Sequence, residues 1–295
     1  MNNDKYEKIK DIILNLYNTP GSFQTSIDGV KVGFHTAETN FINCFYSSSA
    51  IFVIQGAKET VCGNSKFHYE RGEHLLTAID IPVASKIASA SKEEPFVVII
   101  INLNYTIIRS LVRELNLSAT TKKENFLMGC TKTDDSLLDA LYRLAQLLQK
   151  SEDEQKILSP LIIKEIHYRL LTGEYGECLI NASTKNTKAN RVIGAIDIIT
   201  RDFNKTLDME KVASEVLMCP SLFYKTFKEA TNISPLQFQK HLKLNEAQRL
   251  LLTGEYDVIS VAYQVGYKSP AQFNRDYKRH FGSSPKQNVK DIMLE

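Results

Sequence analysis

Short apolar segments separated by turn residues run through the first third of the chain. Residues 41–46, 50–55 and 96–102 are rich in β-branched and aromatic side chains, the types that favour strands. Glycines and Pro95 separate these segments from similar ones between residues 23 and 104. Many short strands with regularly spaced turns are typical of a β-barrel or a β-sandwich.

The middle of the chain changes to a helical period. Leucines recur at three- and four-residue steps, at Leu137, Leu138, Leu141, Leu144, Leu147 and Leu148, and a second apolar run covers residues 161–173. A leucine stripe of this width either packs on the strands or forms the seam of a dimer. The polar residues 181–190 then predict a linker, and residues 191–203 predict the first helix of another domain.

The last third contains one unit written twice. Residues 212–218 and 220–228 of the first copy match residues 261–267 and 270–278 of the second, with one residue inserted at the turn. Each copy combines a short apolar helix, a turn, and a second helix with aromatic side chains four residues apart. This pattern predicts two helix-turn-helix motifs, at about 207–230 and about 257–280.

Burial of the paired aromatic residues determines which face of each second helix points outward. If Phe223 and Phe227 are buried in one copy, and Phe273 and Tyr277 in the other, small, amide and cationic side chains remain on the opposite face. Such side chains suit a DNA major groove. Those expected to face base edges are Ser221, Tyr224, Lys225, Ala271, Asn274 and Arg275. Those expected to contact phosphates are Lys228, Ser269, Lys278 and Arg279.

A helix is also predicted between the two copies. Pro235 stands at its start, where proline is favoured, and the apolar pattern continues to Thr253. About 18 residues give a rod of roughly 27 Å. We expect this rod to separate the two second helices by about the spacing of successive major grooves, roughly 34 Å.

The C-terminal third resembles the DNA-binding domain of the AraC/XylS family of bacterial transcription regulators. The matching residues are Ala213, 218–228, 234–235, 245–251, Ala262, 266–267, 272–275 and 281–285. The chain departs from the family at Cys219, where a serine N-cap is usual, and at Thr226 and Asp276. We expect Asp276 beside the buried aromatic residue, away from the bases.

Residues 54–58, 67–73, 80–83 and 88–96 resemble the cupin-like amino-terminal domain of one branch of the same family. The resemblance implies an effector pocket inside a barrel, for which we select Phe45, Gln55, Tyr69 and His74. It also implies an antiparallel dimer contact through one of the linking helices. We assign this contact to the leucine stripe, at Leu137, Leu141, Leu144 and Leu148.

A metal site is a competing interpretation of the N-terminal half. Enzymatic cupins bind iron or manganese through His and Glu, and this chain offers His68, Glu73 and His74. Their order does not fit, because Glu73 and His74 are adjacent and neighbouring strand residues point to opposite faces. We therefore expect no metal, no cofactor and no enzyme.

Composition adds only weak constraints. The 295 residues carry a net charge of +2, and from residue 191 onward 15 Lys and Arg stand against 12 Asp and Glu. This surplus of positive charge is too small to indicate nucleic-acid binding by itself, so the prediction of DNA binding depends on where the cationic residues stand. The five cysteines are scattered and match neither a zinc site nor a disulfide framework. They are interpreted as buried thiols in a reducing compartment, with a redox sensor as the alternative.

The expected fold class is an α+β multidomain protein. It comprises a cupin-like barrel at 1–125, linking helices at 126–180, a linker at 181–190 and an all-α DNA-binding domain at 191–295.

The expected function is sequence-specific transcription regulation under a small-molecule effector. Expected partners are double-stranded DNA, the effector, a second copy of the chain and, as an option, RNA polymerase. With no membrane-length apolar run and no apolar core of a secretion signal at the N-terminus, we expect a cytoplasmic location. Two alternatives remain, a metal-dependent cupin enzyme fused to a DNA-binding domain and a dimeric regulator without a ligand.

Overall fold

The computed structural model describes residues 2–119 and 127–294. The chain forms two compact units that divide between Asn190 and Arg191, except that the short segments Ile42–Phe45 and Pro82–Ala84 group with the second unit. These segments are parts of strands and are described below with the N-terminal sheets. The expected boundary between residues 125 and 126 lies outside the described residues. No helix within the described ranges combines the length and apolar character needed to cross a membrane.

The N-terminal unit is built on two β-sheets in which most strand pairs are antiparallel. Its strands are β1 Gly21–Gln24, β2 Val30–His35, β3 Ile42–Tyr46, β4 Ser49–Gln55, β5 Ala57–Cys62, β6 Ser65–Glu70, β7 Glu73–Thr77, β8 Ile81–Ser89, β9 Phe96–Asn102 and β10 Met128–Lys132. The larger sheet has the order β1-β2-β9-β4-β7-β10 and the smaller one β3-β8-β5-β6. The β-rich N-terminal fold is thus confirmed, as two sheets that do not close into one barrel.

Strand β4 lies at the centre of the larger sheet. It pairs with β9 through Ile51 and Ile100, and with β7 through Ile51 and Leu75. Six of its seven residues are buried, as expected for a strand covered on both faces. Helix α1 (Asn2–Leu16) supplies part of that cover, because it packs on β4 and buries Ile9 and Ile13 completely.

Four helices complete this unit, α2 Tyr105–Glu114, α3 Asp135–Leu147, α4 Glu152–Thr172 and α5 Gly176–Ser183. Helix α3 carries the leucine stripe and packs on α1 and α4. Leu137, Leu141 and Leu144 are at most 3% exposed, and Leu148 is half-buried. The expectation that this stripe forms a dimer seam is therefore wrong, because the leucines already fill the core of their own chain.

The predicted linker is largely helical. Helix α5 ends at Ser183 and α6 (Lys188–Arg201) begins five residues later, so the irregular stretch between them is shorter than residues 181–190. The polar side chains bond to helix ends, since the Thr187 hydroxyl accepts from the Asn190 backbone amide and the Asn190 amide donates to the Ala182 carbonyl. Their polarity reflects helix capping and not an extended linker.

The C-terminal unit is helical throughout its described part. After α6 come α7 Met209–Glu215, α8 Pro220–Thr231, α9 Pro235–Leu252, α10 Val258–Gln264, α11 Pro270–Phe281 and α12 Pro285–Leu294. Helix α9 spans 18 residues and starts with a capping box between Ser234 and Gln237, as the Pro235 start predicts. The all-α architecture of this region is confirmed.

Candidate nucleic-acid interface

The first helix-turn-helix consists of α7 and α8. Phe223 and Phe227 of α8 are fully buried, and the Phe227 ring meets Phe238 of α9 edge-on, with centroids 5.5 Å apart. Because these aromatic side chains lie on one face, the opposite face of α8 is left to solvent.

The second helix-turn-helix, α10 and α11, repeats this arrangement. Phe273 and Tyr277 are fully buried in a cluster with Ala262 and Val265. The Tyr277 hydroxyl donates to the Asn288 side-chain oxygen at 2.9 Å, so its polar end has a partner inside the unit. Asp276, beside Tyr277, is also buried and does not share the outer face.

The structure places every predicted DNA-contacting residue on the exposed side of α8 or α11 or at a helix start. All ten side chains are exposed: Ser221, Tyr224, Lys225, Lys228, Ser269, Ala271, Asn274, Arg275, Lys278 and Arg279. Their exposure makes them available to a duplex. Their contacts to DNA remain a prediction.

Several of these side chains are already engaged within the protein. Arg275 donates to the Gln272 side-chain oxygen at 2.8 Å, and the Asn274 amide donates to the Pro270 carbonyl at 3.0 Å. Arg279 pairs with Asp276. These contacts orient the side chains, but sequence periodicity gave no signal for them.

Lys225 is held more loosely. Its Nζ lies 4.0 Å from Glu229 Oε1, four residues along the same helix, and both side chains are largely exposed. An exposed pair at this spacing contributes roughly 0.3–0.5 kcal/mol, so it restrains Lys225 little.

The buried carboxylate of Asp276 is a feature that periodicity alone missed. It accepts from Gln272 Nε2 at 3.0 Å and from the Tyr267 hydroxyl at 3.4 Å, and pairs with Lys240 Nζ at 3.4 Å. Burial would raise its pKa, but the hydrogen bonds from Gln272 and Arg279 and the charge of Lys240 outweigh burial and lower it. Asp276 therefore stays ionised at neutral pH. The sequence signal was an acidic residue next to a buried aromatic one.

The two turns use the same backbone geometry with different residues. Gly266 has φ +81°, and Leu217, 49 residues earlier, has φ +56°. Lys243 donates to the Gly266 carbonyl and Arg191 donates to the Leu217 carbonyl. In each motif, a cation from the preceding long helix therefore binds the carbonyl of the left-handed residue.

Cys219 occupies the N-cap of α8 without a side-chain capping bond. Its sulfur lies 3.6 Å from the Ser221 hydroxyl. The hydrogen bond with Ser221, and then the backbone amide of Leu222, lower the pKa of this exposed thiol. The interpretation of the cysteines as buried thiols is wrong at this position.

Tyr69, one of the predicted effector residues, is fully buried in the N-terminal unit. Its hydroxyl lies 2.9 Å from the Thr60 hydroxyl and 3.4 Å from that of Tyr46. Three hydroxyl groups, here called the Tyr69 hydroxyl cluster, thus meet inside the N-terminal unit.

His74 is buried on β7. Its ring lies 5.1 Å from that of Phe52, and its Nδ1 lies 3.1 Å from the Thr133 hydroxyl. Burial lowers the pKa of His74 to about 4, although Asp134 and Glu174 act in the opposite direction. The imidazole is therefore neutral at physiological pH and suited to hydrogen bonding.

Phe45 and Gln55 lie elsewhere on the sheets. Phe45 is half-buried on β3, and Gln55 donates to the Pro95 carbonyl at the end of β4. A cleft of about 470 Å³ opens instead near the end of β9, lined by Asp28, Asn102, Tyr105, Ser159 and Ile163 among others. None of the four predicted effector residues lines this cleft, whose volume falls in the range of small-ligand sites.

The structure also bears on the metal interpretation. Within residues 2–119 and 127–294, no group of three or more His, Cys, Asp and Glu side chains is placed to hold a metal ion.

Comparison with known families gives two matches on this chain. Residues 26–178 match the model of the AraC-type transcriptional regulator N-terminus. Residues 212–290 match the model of a helix-turn-helix domain. The first match alone covers more than half of the chain.

Individual relatives are similar over much of the length. The lactose operon transcription activator of Staphylococcus xylosus is 22% identical over 254 residues, which cover 86% of this chain and 87% of the relative. The raffinose operon transcriptional regulatory protein of Pediococcus pentosaceus is 25% identical over 152 residues, covering 50% and 54%. ToxT of Vibrio cholerae, in its unsaturated fatty acid-bound structure, shares the fold with a TM-score of 0.59 and 13% identity, covering 90% of this chain and 97% of ToxT.

The second turn yields a stability prediction with an internal control. A Cβ at position 266 would lie 1.8 Å from the Asn204 carbonyl oxygen, whereas at Gly254, φ +74°, it would meet nothing within 4 Å. Gly254→Ala should cost only the left-handed strain, about 1–2 kcal/mol. Gly266→Ala should cost clearly more and weaken DNA binding, because α10 must shift. Urea unfolding and operator binding measure both effects; equal losses in the two variants would contradict the close approach.

Proposed function

The chain belongs to the AraC-type transcriptional regulators, DNA-binding proteins that control transcription, and we propose that a small molecule bound by its N-terminal unit sets its activity. The observation that carries the proposal is the duplicated helix-turn-helix, in which two aromatic-anchored helices expose cationic and amide side chains. A separate N-terminal unit with a cleft and buried polar side chains supplies the place for an effector. Because a transcriptional regulator must reach the DNA that it controls, we also propose a cytoplasmic location.

We propose that one chain reads two successive major-groove segments. Helices α8 and α11 are connected through α9, whose 18 residues correspond to roughly 27 Å of helix. The residues proposed to contact base edges are Ser221, Tyr224 and Lys225 of α8 and Ala271, Asn274 and Arg275 of α11. Those proposed to contact phosphates are Lys228, Lys278, Arg279 and Ser269. Contact with RNA polymerase would follow if the chain activates its genes, as the name of the lactose operon relative suggests.

Two effector classes are favoured by the relatives. The sequence relatives include regulators of lactose and raffinose operons, which suggests an oligosaccharide or a product of it. The ToxT structure contains an unsaturated fatty acid. Within this chain, the Tyr69 hydroxyl cluster and the cleft beside β9 are the two candidate positions.

We also propose a homodimer formed through α4. Unlike the leucines of α3, Ile157, Leu161 and Tyr168 of this helix are 66%, 64% and 41% exposed. The first turn of α4 is acidic and its last turn contains Arg169. An antiparallel pair of α4 helices would therefore bury the apolar side chains and bring opposite charges together at both ends.

Substitutions on α11 test the proposed DNA contacts. Arg275→Ala should cost about 1–3 kcal/mol of specific binding and leave binding to random DNA nearly unchanged, because a base contact is lost. Lys278→Ala, which removes a phosphate contact, should weaken both and reduce the salt slope by about one. Titrations of full-length protein at several salt concentrations separate the two cases. Equal losses for Arg275→Ala on both DNAs would contradict base readout.

The effector is tested by thermal shift of the full-length protein. Lactose, raffinose, their component sugars and unsaturated fatty acids form the first panel. A ligand at 100 times its Kd should stabilise the unit that binds it by about 2.7 kcal/mol. Tyr69→Phe should abolish the shift if the ligand uses the hydroxyl cluster, and Ser159→Leu if it uses the cleft. If no ligand in a wider metabolite panel shifts melting and neither variant changes transcription, the chain is a regulator without a ligand.

The dimer is tested by placing charge on two faces. Ile157→Glu with Leu161→Glu should give a folded monomer that loses tight binding to an operator with two half-sites. Leu141→Glu, on the buried face of α3, should unfold the N-terminal unit instead. Analytical ultracentrifugation and circular dichroism distinguish these results. A dimer that persists after both α4 substitutions would rule out this helix as the interface.

A further inference from the structure

A chain of hydrogen bonds connects the buried Asp276 to the exposed Arg275. Arg275 Nη2 donates to Gln272 Oε1 at 2.8 Å, and Gln272 Nε2 donates to Asp276 Oδ2 at 3.0 Å. Arg275 is exposed, Gln272 is half-buried, and Asp276 is 3% exposed. The chain therefore runs from the outer face of α11 into its core.

The ionised carboxylate determines which way the Gln272 amide faces. A carboxylate only accepts hydrogen bonds, so the amide nitrogen must point to Asp276 and the amide oxygen must point away from it. That oxygen is the acceptor that Arg275 uses. Reversing the amide would break both bonds.

Asp276 is itself held from several sides. Lys240 of α9 and Arg279 of α11 pair with it, and the Tyr267 hydroxyl donates to it. An Arg side chain loses up to about 2 kcal/mol of rotamer entropy when it is immobilised. Holding the guanidinium before DNA arrives lowers this cost at the moment of binding.

The first helix-turn-helix has no such chain of bonds. An offset of 50 residues places Leu222, Lys225 and Thr226 at the positions of Gln272, Arg275 and Asp276. A leucine side chain cannot accept a hydrogen bond, and Thr226 is 2% exposed. The arrangement is thus a property of the second motif and not of the shared scaffold.

We propose that Asp276 is a positioning residue for base readout, which acts through Gln272 to hold Arg275 toward the guanine edge in the major groove. The proposal rests on the proposed function, in that α11 must contact base edges. An arginine fork matches the O6 and N7 acceptors of guanine. The second motif then carries the most selective single position of the binding site.

The test compares the sequence preferences of full-length variants selected on a pool of random-sequence duplexes. Arg275→Ala identifies the base pair that Arg275 reads, as the position at which preference is lost. Gln272→Leu, which copies the first motif, and Asp276→Asn should each reduce the preference at that same position about five- to tenfold. Preferences under α8 and affinity for random DNA should stay unchanged. In the Arg275→Ala background, neither substitution should reduce the preference at that position further.

Gln272→Leu keeps the Lys240, Arg279 and Tyr267 contacts of Asp276, so it separates positioning from folding. Circular dichroism confirms that each variant is folded. A uniform loss over all positions, or an unchanged preference in Gln272→Leu, would overturn the positioning role. If Arg275→Ala itself leaves every preference unchanged, the proposed base readout by α11 fails, and the positioning role fails with it.

Discussion

Burial of two aromatic side chains four residues apart is the constraint that orients both recognition helices. In α8 these are Phe223 and Phe227, and in α11 they are Phe273 and Tyr277, all fully buried. A fully buried aromatic side chain typically contributes several kcal/mol, so the helix cannot rotate about its axis without a large loss. The buried aromatic side chains therefore determine which residues lie on the opposite, exposed face of each recognition helix.

The turns add a second constraint on the same helices. Both require a left-handed residue, which glycine supplies without strain in the second motif. Leu217 adopts this conformation in the first motif, at a cost of about 1–2 kcal/mol. The cation that binds its carbonyl, Arg191, comes from α6, just as Lys243 comes from α9. In each motif, the long helix therefore holds the turn that leads into the recognition helix.

The sequence predicted the elements that depend on periodicity and repetition. The helix-turn-helix pairs, the start of α9 and the β-rich N-terminal unit follow from local patterns of apolar residues. The surface against which each apolar face packs was harder to predict. A leucine stripe looks the same whether it meets its own chain or a second copy, and only the burial of Leu141 and Leu144 decides between them. The four effector residues were selected by resemblance, and neither Phe45 nor Gln55 lies with Tyr69 in the hydroxyl cluster.

Sequence periodicity could not predict the hydrogen bonds around Asp276, for a different reason. They join residues of α9, of α11 and of the turn that precedes α11, and depend on side-chain directions that only packing decides. Because of these bonds, the two motifs share one backbone scaffold but present their central cations, Lys225 and Arg275, differently. Lys225 is a compact, strongly hydrated charge on a flexible stem, with an exposed glutamate as its neighbour. As a point charge, such a cation tolerates several arrangements of base-edge acceptors, whereas a prearranged arginine fork favours selection of one base pair. Duplication thus supplied two equivalent frames, and substitutions at a few outer and buried positions can divide affinity and selectivity between them.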